Sequence, residues 1–149
     1  MHTDKNFFPP AKMAFENLFR SKRLIHRSLE NTPEEVQLYY DVMMNQPDTY
    51  AQQTNVLLRP LKLAEIEKLF AGVADLLLTV RISIPAADPS DSLTKIGWLS
   101  LTNDVRSAHH RSCQLGITIS SEYQGEGYGT ETINWALDWA FRVAGMHCV

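Results

Sequence analysis

Residues 115–144, LGITIS-SEY-QGEGYG-TETINWALDWAFRVA, constrain the fold more than any other stretch. They open with an alternation, Leu115, Ile117 and Ile119 against Gly116, Thr118 and Ser120, the period of a half-buried strand. They close with a helical pattern from Thr130 to Ala144, for which Gly145 supplies a C-cap. Between the two, Gly125, Gly127 and Gly129 alternate with Gln124, Glu126 and Tyr128. Glycine loses more backbone freedom on folding than any other residue, and one usually suffices for a strand-to-helix turn. Three within five positions imply a loop that must curl and admit something close to its backbone. The first N–H groups of a helix lack intrahelical partners and sit at the positive end of its dipole. A preceding loop that aims further N–H groups at the same point makes an anion site suited to phosphate.

Two phosphate templates fail here. GxxxxGK[ST] requires a Gly–Lys pair where Thr130 stands, with no Lys nearby. The dinucleotide fingerprint GxGxxG requires a glycine at 130 and fails at the same residue. The spacing that fits is Q-x-x-G-x-G, carried by Gln124, Gly127 and Gly129.

The rest of the chain supplies the surrounding elements. Residues 1–20 read as an irregular lead-in, and 21–149 as one domain, in keeping with a length of 149. RLIHRSLE, 23–30, alternates Leu24, His26 and Ser28 against Ile25, Arg27 and Leu29 as a first strand. Thr32, Pro33 and Glu35 then form an N-cap, a first helical position and a capping box. Val36, Tyr39, Tyr40 and Met43 mark one face of the helix that follows, and Pro47 stops it. LKLAEIEKLFAG, 61–72, repeats the helical spacing through Leu63, Ile66, Leu69 and Phe70, with Gly72 at its end. DLLLTVRISIP (75–85), KIGWLSLTN (95–103) and CQLGITIS (113–120) read as strands that pair antiparallel. MHCV, 146–149, begins a strand parallel to the last of these.

In this element order, QGEGYG resembles the acetyl-coenzyme A motif [RQ]-x-x-G-x-[GA] of the GNAT N-acetyltransferase superfamily. The resemblance spans about residues 20–149, and FRSKRLIHRSLE looks like the opening of the branch that acetylates protein N-termini and small-molecule amines. It implies an α+β fold with a mixed sheet, antiparallel strands plus a parallel pair at the motif, flanked by helices. It implies that backbone N–H groups of Gln124, Gly125, Glu126, Gly127, Tyr128, Gly129 and Thr130 hold the pyrophosphate of coenzyme A. The strand residues Ile117, Thr118 and Ile119 pair through their backbone with the pantetheine arm, a β-augmentation by an amide-bearing ligand. Acetyl-coenzyme A is then a co-substrate, and the acceptor a primary amine on a small molecule or a peptide N-terminus.

Other residues carry less. Trp135 and Trp139 are spaced for core packing, beside an inward stripe of Ile133, Leu137, Ala140 and Ala144, while Asn134, Asp138 and Arg142 face water. His109 and His110 could take an amine's proton but read as a solvated pair. Glu122 reads as a surface carboxylate, and Glu126 points away from the phosphate it would repel. The five histidines and two cysteines lack metal-ligand spacing. TYAQQTNVLLRP, 49–60, is a candidate lining for the acceptor cleft. No residue is assigned as general acid or base.

The totals exclude some classes. A net charge of −3, from 14 basic and 17 acidic residues, argues against a broad nucleic-acid footprint. No run approaches the roughly 18 apolar residues of a membrane span, and MHTDKNFFPPAK has no secretory h-region. Cys113 and Cys148 are too few for a disulfide framework, so a reduced, cytoplasmic setting is expected.

The chain departs from the family pattern at its end. Members continue into a further helix, often bearing a Tyr that protonates the leaving thiolate, and two more strands. Three explanations present themselves: a truncated sequence, a natural fragment with impaired catalysis, or completion by a second copy through swapping or dimerisation. An N-acetyltransferase and a catalytically silent acyl-coenzyme A binding or regulatory module are both consistent with the residues.

Overall fold

A computed structural model describes residues 17–53, 58–88, 90–103 and 109–149. In chain order the elements are β1 (Ile25–Ser28), α1 (Pro33–Asn45), α2 (Pro47–Gln53), α3 (Leu63–Ala74), β2 (Leu78–Ile84), β3 (Thr94–Thr102), β4 (Gln114–Ile119), a 3₁₀ turn (Ser121–Tyr123) and α4 (Tyr128–Arg142). Four strands form one sheet in the order β1-β2-β3-β4, each antiparallel to its neighbour. This is the helix-flanked α+β arrangement read from the sequence. The parallel partner expected beside β4 is a single bridge, Ser112 with Cys148, joined by the Cys113 N–H to Cys148 O bond at 3.0 Å.

The sheet separates two apolar layers because successive strand side chains alternate faces. On one face Leu24, Val80, Ile82, Leu99 and Leu101 pack under Trp135, Ala136 and Ala140 of α4. On the other, Trp98 packs with Val36, Tyr39, Val42 and Met43 of α1 and with Ile66 and Phe70 of α3. Tyr39 lies 4.5 Å from Trp98 and 5.5 Å, edge-on, from Phe70, measured between ring centroids. Residues of both layers reach zero exposure, and each fully buried Leu, Ile or Phe contributes roughly 1.5–3 kcal/mol.

Several elements differ in detail from their sequence reading. Thr32 caps α1, its hydroxyl accepting from Glu35 N–H at 3.3 Å. Glu35, however, does not close the capping box. Its carboxylate is buried, pairs with the Arg81 guanidinium of β2, and accepts the N–H of Glu30. A buried carboxylate needs a cation and donors, and Arg81 stands on the sheet face that α1 covers. Pro47 ends α1 as expected, but it also opens α2, since a proline at a first helical position gives up no needed hydrogen bond. Helix α3 runs through Gly72 to Ala74. Only Ile66 and Phe70 of its four spaced apolar residues are buried, while Leu63 and Leu69 are about half exposed. Helix α4 starts at Tyr128 and buries Thr132, Trp135, Ala136 and Ala140. Its contact ridge is thus rotated by about one residue from the predicted Ile133–Leu137–Ala140–Ala144 stripe, because the bulky Trp135 ring claims the space over β1. Asn134, Asp138 and Arg142 are exposed as read.

Candidate functional site

The site begins on β4, the edge strand of the sheet. Ser120 N–H donates to Ile96 O at 2.8 Å. Antiparallel ladders alternate bonded and non-bonded residue pairs. Thr118, two positions back and opposite Trp98, therefore turns its backbone groups toward β3, while Ile117 and Ile119 turn theirs to the outer edge. Gly97 makes the close β3–β4 approach possible, since a Cβ there would collide with Thr118 O. The geometry thus divides the three predicted strand residues: Ile117 and the N–H of Ile119 offer backbone to the edge, the Ile119 carbonyl is taken by the Gln124 side chain, and Thr118 fastens the strand. The Thr118 side chain is buried on the Trp98 face.

Beyond β4 the chain turns through Ser121–Tyr123 into the glycine loop. Gly125 and Gly127 hold φ of 81° and 82°, the left-handed region that costs other L-residues about 1–2 kcal/mol. Gly127 is the N-cap of α4, and its carbonyl accepts the first helical bond, from Glu131 N–H at 3.1 Å. The N–H groups of Tyr128, Gly129 and Thr130 fall in the first turn, where no intrahelical acceptor exists. A Cβ at Gly125 would meet nothing within 4 Å, so the loop faces open space there. Gly129 has no positive φ; its place in the first helical turn keeps the approach to the helix end clear. Glu126 is exposed.

Two side-chain clusters hold this loop, and sequence reading found neither. On the α2 side, Gln124 Nε2 donates to Ile119 O at 2.8 Å and to Thr49 Oγ1 at 3.1 Å. Gln46 accepts from Ser121 N–H at 2.8 Å and donates to Ser120 Oγ at 3.0 Å. On the β1 side, Arg23 Nε donates to Glu131 Oε2 at 2.8 Å, Nη1 to Glu126 O at 3.0 Å, and the guanidinium carbon lies 4.5 Å above the Tyr128 ring. Glu131 also accepts from Ser21 Oγ at 2.6 Å and from Arg23 N–H at 2.7 Å. Burial is the largest single influence on the Glu131 carboxyl and pushes its pKa up, but the Ser21 and Arg23 hydrogen bonds together hold it below the ordinary range. Ser21, Arg23, Gln46 and Thr49 lie more than 70 residues from the groups they hold, so no local pattern marks them.

His26 lies beneath the Ser21–Glu131 pair. It is 1% exposed, stacks on Trp135 at 4.1 Å, and places Nε2 3.3 Å from Ser21 Oγ. Burial lowers its pKa from 6.5 to about 4, against the opposing pull of Glu131. His109 and His110 form an exposed 3₁₀ turn, their rings 3.8 Å apart. The length of β4, about 20 Å, separates them from the glycine loop. Glu122 is exposed on the turn before the loop. A hollow of about 490 Å³ lined by Phe19, His26, Ser28 and Leu78 lies at the opposite edge of the sheet and includes no loop residue. Among the described residues no group of three His, Cys, Asp or Glu is placed to hold a metal, and no helix is long and apolar enough to cross a membrane.

The model of the acetyltransferase (GNAT) domain matches residues 23–149 of this chain. The chain belongs to the GNAT acetyltransferases. Solved structures agree on the GNAT fold. An acetyltransferase of the family from Bacillus anthracis is 11% identical at a TM-score of 0.65, with 87% of this chain and 69% of that one covered. An acetyltransferase from Agrobacterium tumefaciens is 19% identical at a TM-score of 0.63, covering 85% and 68%. A mutant of the spermidine N-acetyltransferase SpeG from Vibrio cholerae is 23% identical at a TM-score of 0.55, covering 82% and 66%. The chain spans about two thirds of the length of these GNAT relatives. Among curated proteins there is no match.

Proposed function

We propose that this GNAT chain binds acetyl-coenzyme A along the outer edge of β4 and over the glycine loop, and transfers the acetyl group to a primary amine. The observation that carries this reading is the continuity of the edge: outward Ile117 and Ile119 backbone groups lead directly into left-handed Gly125 and Gly127 at the start of α4. The fit is physical. Open space at Gly125 admits a phosphate to the backbone, and the N–H groups from Gly125 to Thr130 would hold the pyrophosphate, each charge-assisted bond contributing about 1.5–3 kcal/mol; the Gln124 N–H is already given to Ser121 O at 3.4 Å. Ile117 and the Ile119 N–H would pair with the amides of the pantetheine arm, while Thr118 keeps the strand fixed to β3. When bound, the coenzyme supplies the acetyl group as a thioester. An outward N–H of β4 would meet the negative charge that develops on the thioester oxygen during attack by the amine. Direct transfer requires no nucleophilic side chain.

An amine acceptor, small molecule or peptide N-terminus, is supported by family membership and by the spermidine acetyltransferase among the structural relatives. The α2 corner, with Thr49 against Gln124, would form one wall of the acceptor cleft. The reading treats residues 21–149 as one domain, acting in a reduced cytoplasmic setting.

Calorimetric titration with acetyl-coenzyme A tests it. Binding with thermal stabilisation is expected, about 2.7 kcal/mol at a hundredfold excess over Kd. The absence of both heat and a melting shift at millimolar ligand would refute the coenzyme site. Release of the coenzyme thiol, followed with a panel of amines and peptide N-termini, tests the transfer. Binding with only background thiol release would identify a silent acyl-coenzyme A module instead.

A further inference from the structure

Arg23 stands outside both the glycine motif and β4, yet it touches the loop and the first turn of α4 at three points. Nη1 fixes the Glu126 carbonyl, the guanidinium face covers Tyr128, and Nε pairs with Glu131. These anchors bracket Gly127, whose left-handed φ sets the direction in which the loop enters the helix. Nη2 lies 3.3 Å from where a Gly127 Cβ would stand, so the guanidinium closes the inner side of the hinge. Without such a brace, Gly125 and Gly127 are free to populate many conformations, and their N–H groups would converge on a phosphate only part of the time. A planar fork can join a carbonyl, a carboxylate and an aromatic face at once, whereas a lysine ammonium cannot.

We propose that Arg23 is a positioning residue for the pyrophosphate loop, acting through Glu126, Tyr128 and Glu131 and not by contact with the acetyl group. The proposal rests on the coenzyme reading given above. In its terms, Ser21 and the Arg23 N–H hold Glu131 ionised and in place, and Glu131 in turn holds the guanidinium. The loop is then set for phosphate before any ligand arrives. The gain is preorganisation, which raises affinity by removing an ordering cost from the binding step.

The test compares the full chain with Arg23→Gln, Arg23→Lys and Tyr128→Leu. Hydrogen exchange of backbone N–H groups in 121–130 is the first readout, and acetyl-coenzyme A affinity by calorimetry the second. Both Arg23 variants should exchange faster in 121–130 while α4 beyond Thr132 keeps its protection. Both should bind the coenzyme about tenfold to a hundredfold more weakly, the loss expected for one charge-assisted anchor. Tyr128→Leu, which removes one of the three points, should fall between them and the parent. Unchanged loop exchange and affinity within twofold, in a parent that binds, would overturn the clamp and leave the coenzyme site standing. Rescue by Arg23→Lys to parent affinity would overturn the fork geometry. A parent that binds no coenzyme would overturn the underlying reading itself, and the clamp's role in it. Should Arg23→Gln fail to fold, the exposed Arg23→Lys and Tyr128→Leu comparison still decides, since both leave a side chain over the hinge.

Discussion

At the scale of single residues, His26 is a histidine that folding holds neutral. Its pKa falls from 6.5 to about 4 because burial on Trp135 disfavours the charged ring, with Glu131 pulling the other way. Below pH 6.5 the unfolded chain takes up a proton that the folded chain refuses, so stability is lost as pH falls from 6.5 toward 4 and the loss then levels off. The full effect is at most about 3 kcal/mol. Glu131, held below its ordinary range, adds its own loss only at lower pH, below the usual carboxylate value. Urea midpoints should therefore decline between pH 6.5 and 4.5 in the parent and stay nearly flat in His26→Phe, which keeps the aromatic stack. A parallel decline in both would assign the acid sensitivity elsewhere. Gly127 is the second residue to test. Gly127→Asp adds left-handed strain of about 1–2 kcal/mol and sets a carboxylate against Arg23 Nη2, which lies 3.3 Å from the Cβ position, so it competes with Glu126 and Glu131 for the guanidinium and displaces the loop. Coenzyme binding should disappear in calorimetry while the circular dichroism of the fold remains. Undiminished affinity would mean that the loop is only a turn.

At the scale of elements, the packing of α1 on the sheet depends on a pair that sequence rules assign differently. Thr32 and Glu35 match a capping box, and the local pattern has no means of showing that Arg81 waits on β2. Once α1 is laid over the sheet, the buried Glu35 carboxylate has a cation beside it, with Lys95 a further 4.0 Å contact. Arg81→Leu leaves that carboxylate buried with weakened compensation and should lower unfolding free energy by about 3–5 kcal/mol. The double variant with Glu35→Leu should recover most of the loss, and chemical denaturation of the three proteins measures it. A double variant no more stable than Arg81→Leu would show that the pair is needed for more than charge balance. Helix α4 illustrates the same limit. Its solvent face is legible from Asn134, Asp138 and Arg142, but it starts and stops two residues earlier than the Thr130–Ala144 reading, and its buried ridge is set by where the Trp135 ring fits, against His26 and 6.4 Å from Phe19.

At the scale of the whole molecule, α4 and the α1–α3 layer cover the two faces of the sheet, and β4 is left at its edge beside the loop. The proposed ligand would extend the sheet by one strand at that edge. Amide exchange should report it residue by residue. Acetyl-coenzyme A should slow exchange at the outward N–H groups of Ile117 and Ile119, and much less at Thr118, which already faces β3. Equal protection of all three would point to general stabilisation, without strand addition. The α2 corner belongs to this scale too, since Gln46 and Thr49 reach β4 and the loop only because the chain folds back across the sheet.

What the sequence by itself determined was the local frame. Alternation at 115–120, three glycines, and a capped amphipathic run define strand, loop and helix through neighbours a few residues apart, and those periods do not depend on the rest of the chain. The same stretch pointed to the family. Only the tertiary structure decided which backbone groups of β4 face outward, which side of α4 is buried, and which residues hold the loop. Arg23 lies 108 residues from Glu131, and Gln46 lies 75 from Ser121. Contacts of that separation exist only after the sheet has brought their elements together, and a side chain's spacing along the chain says nothing about them.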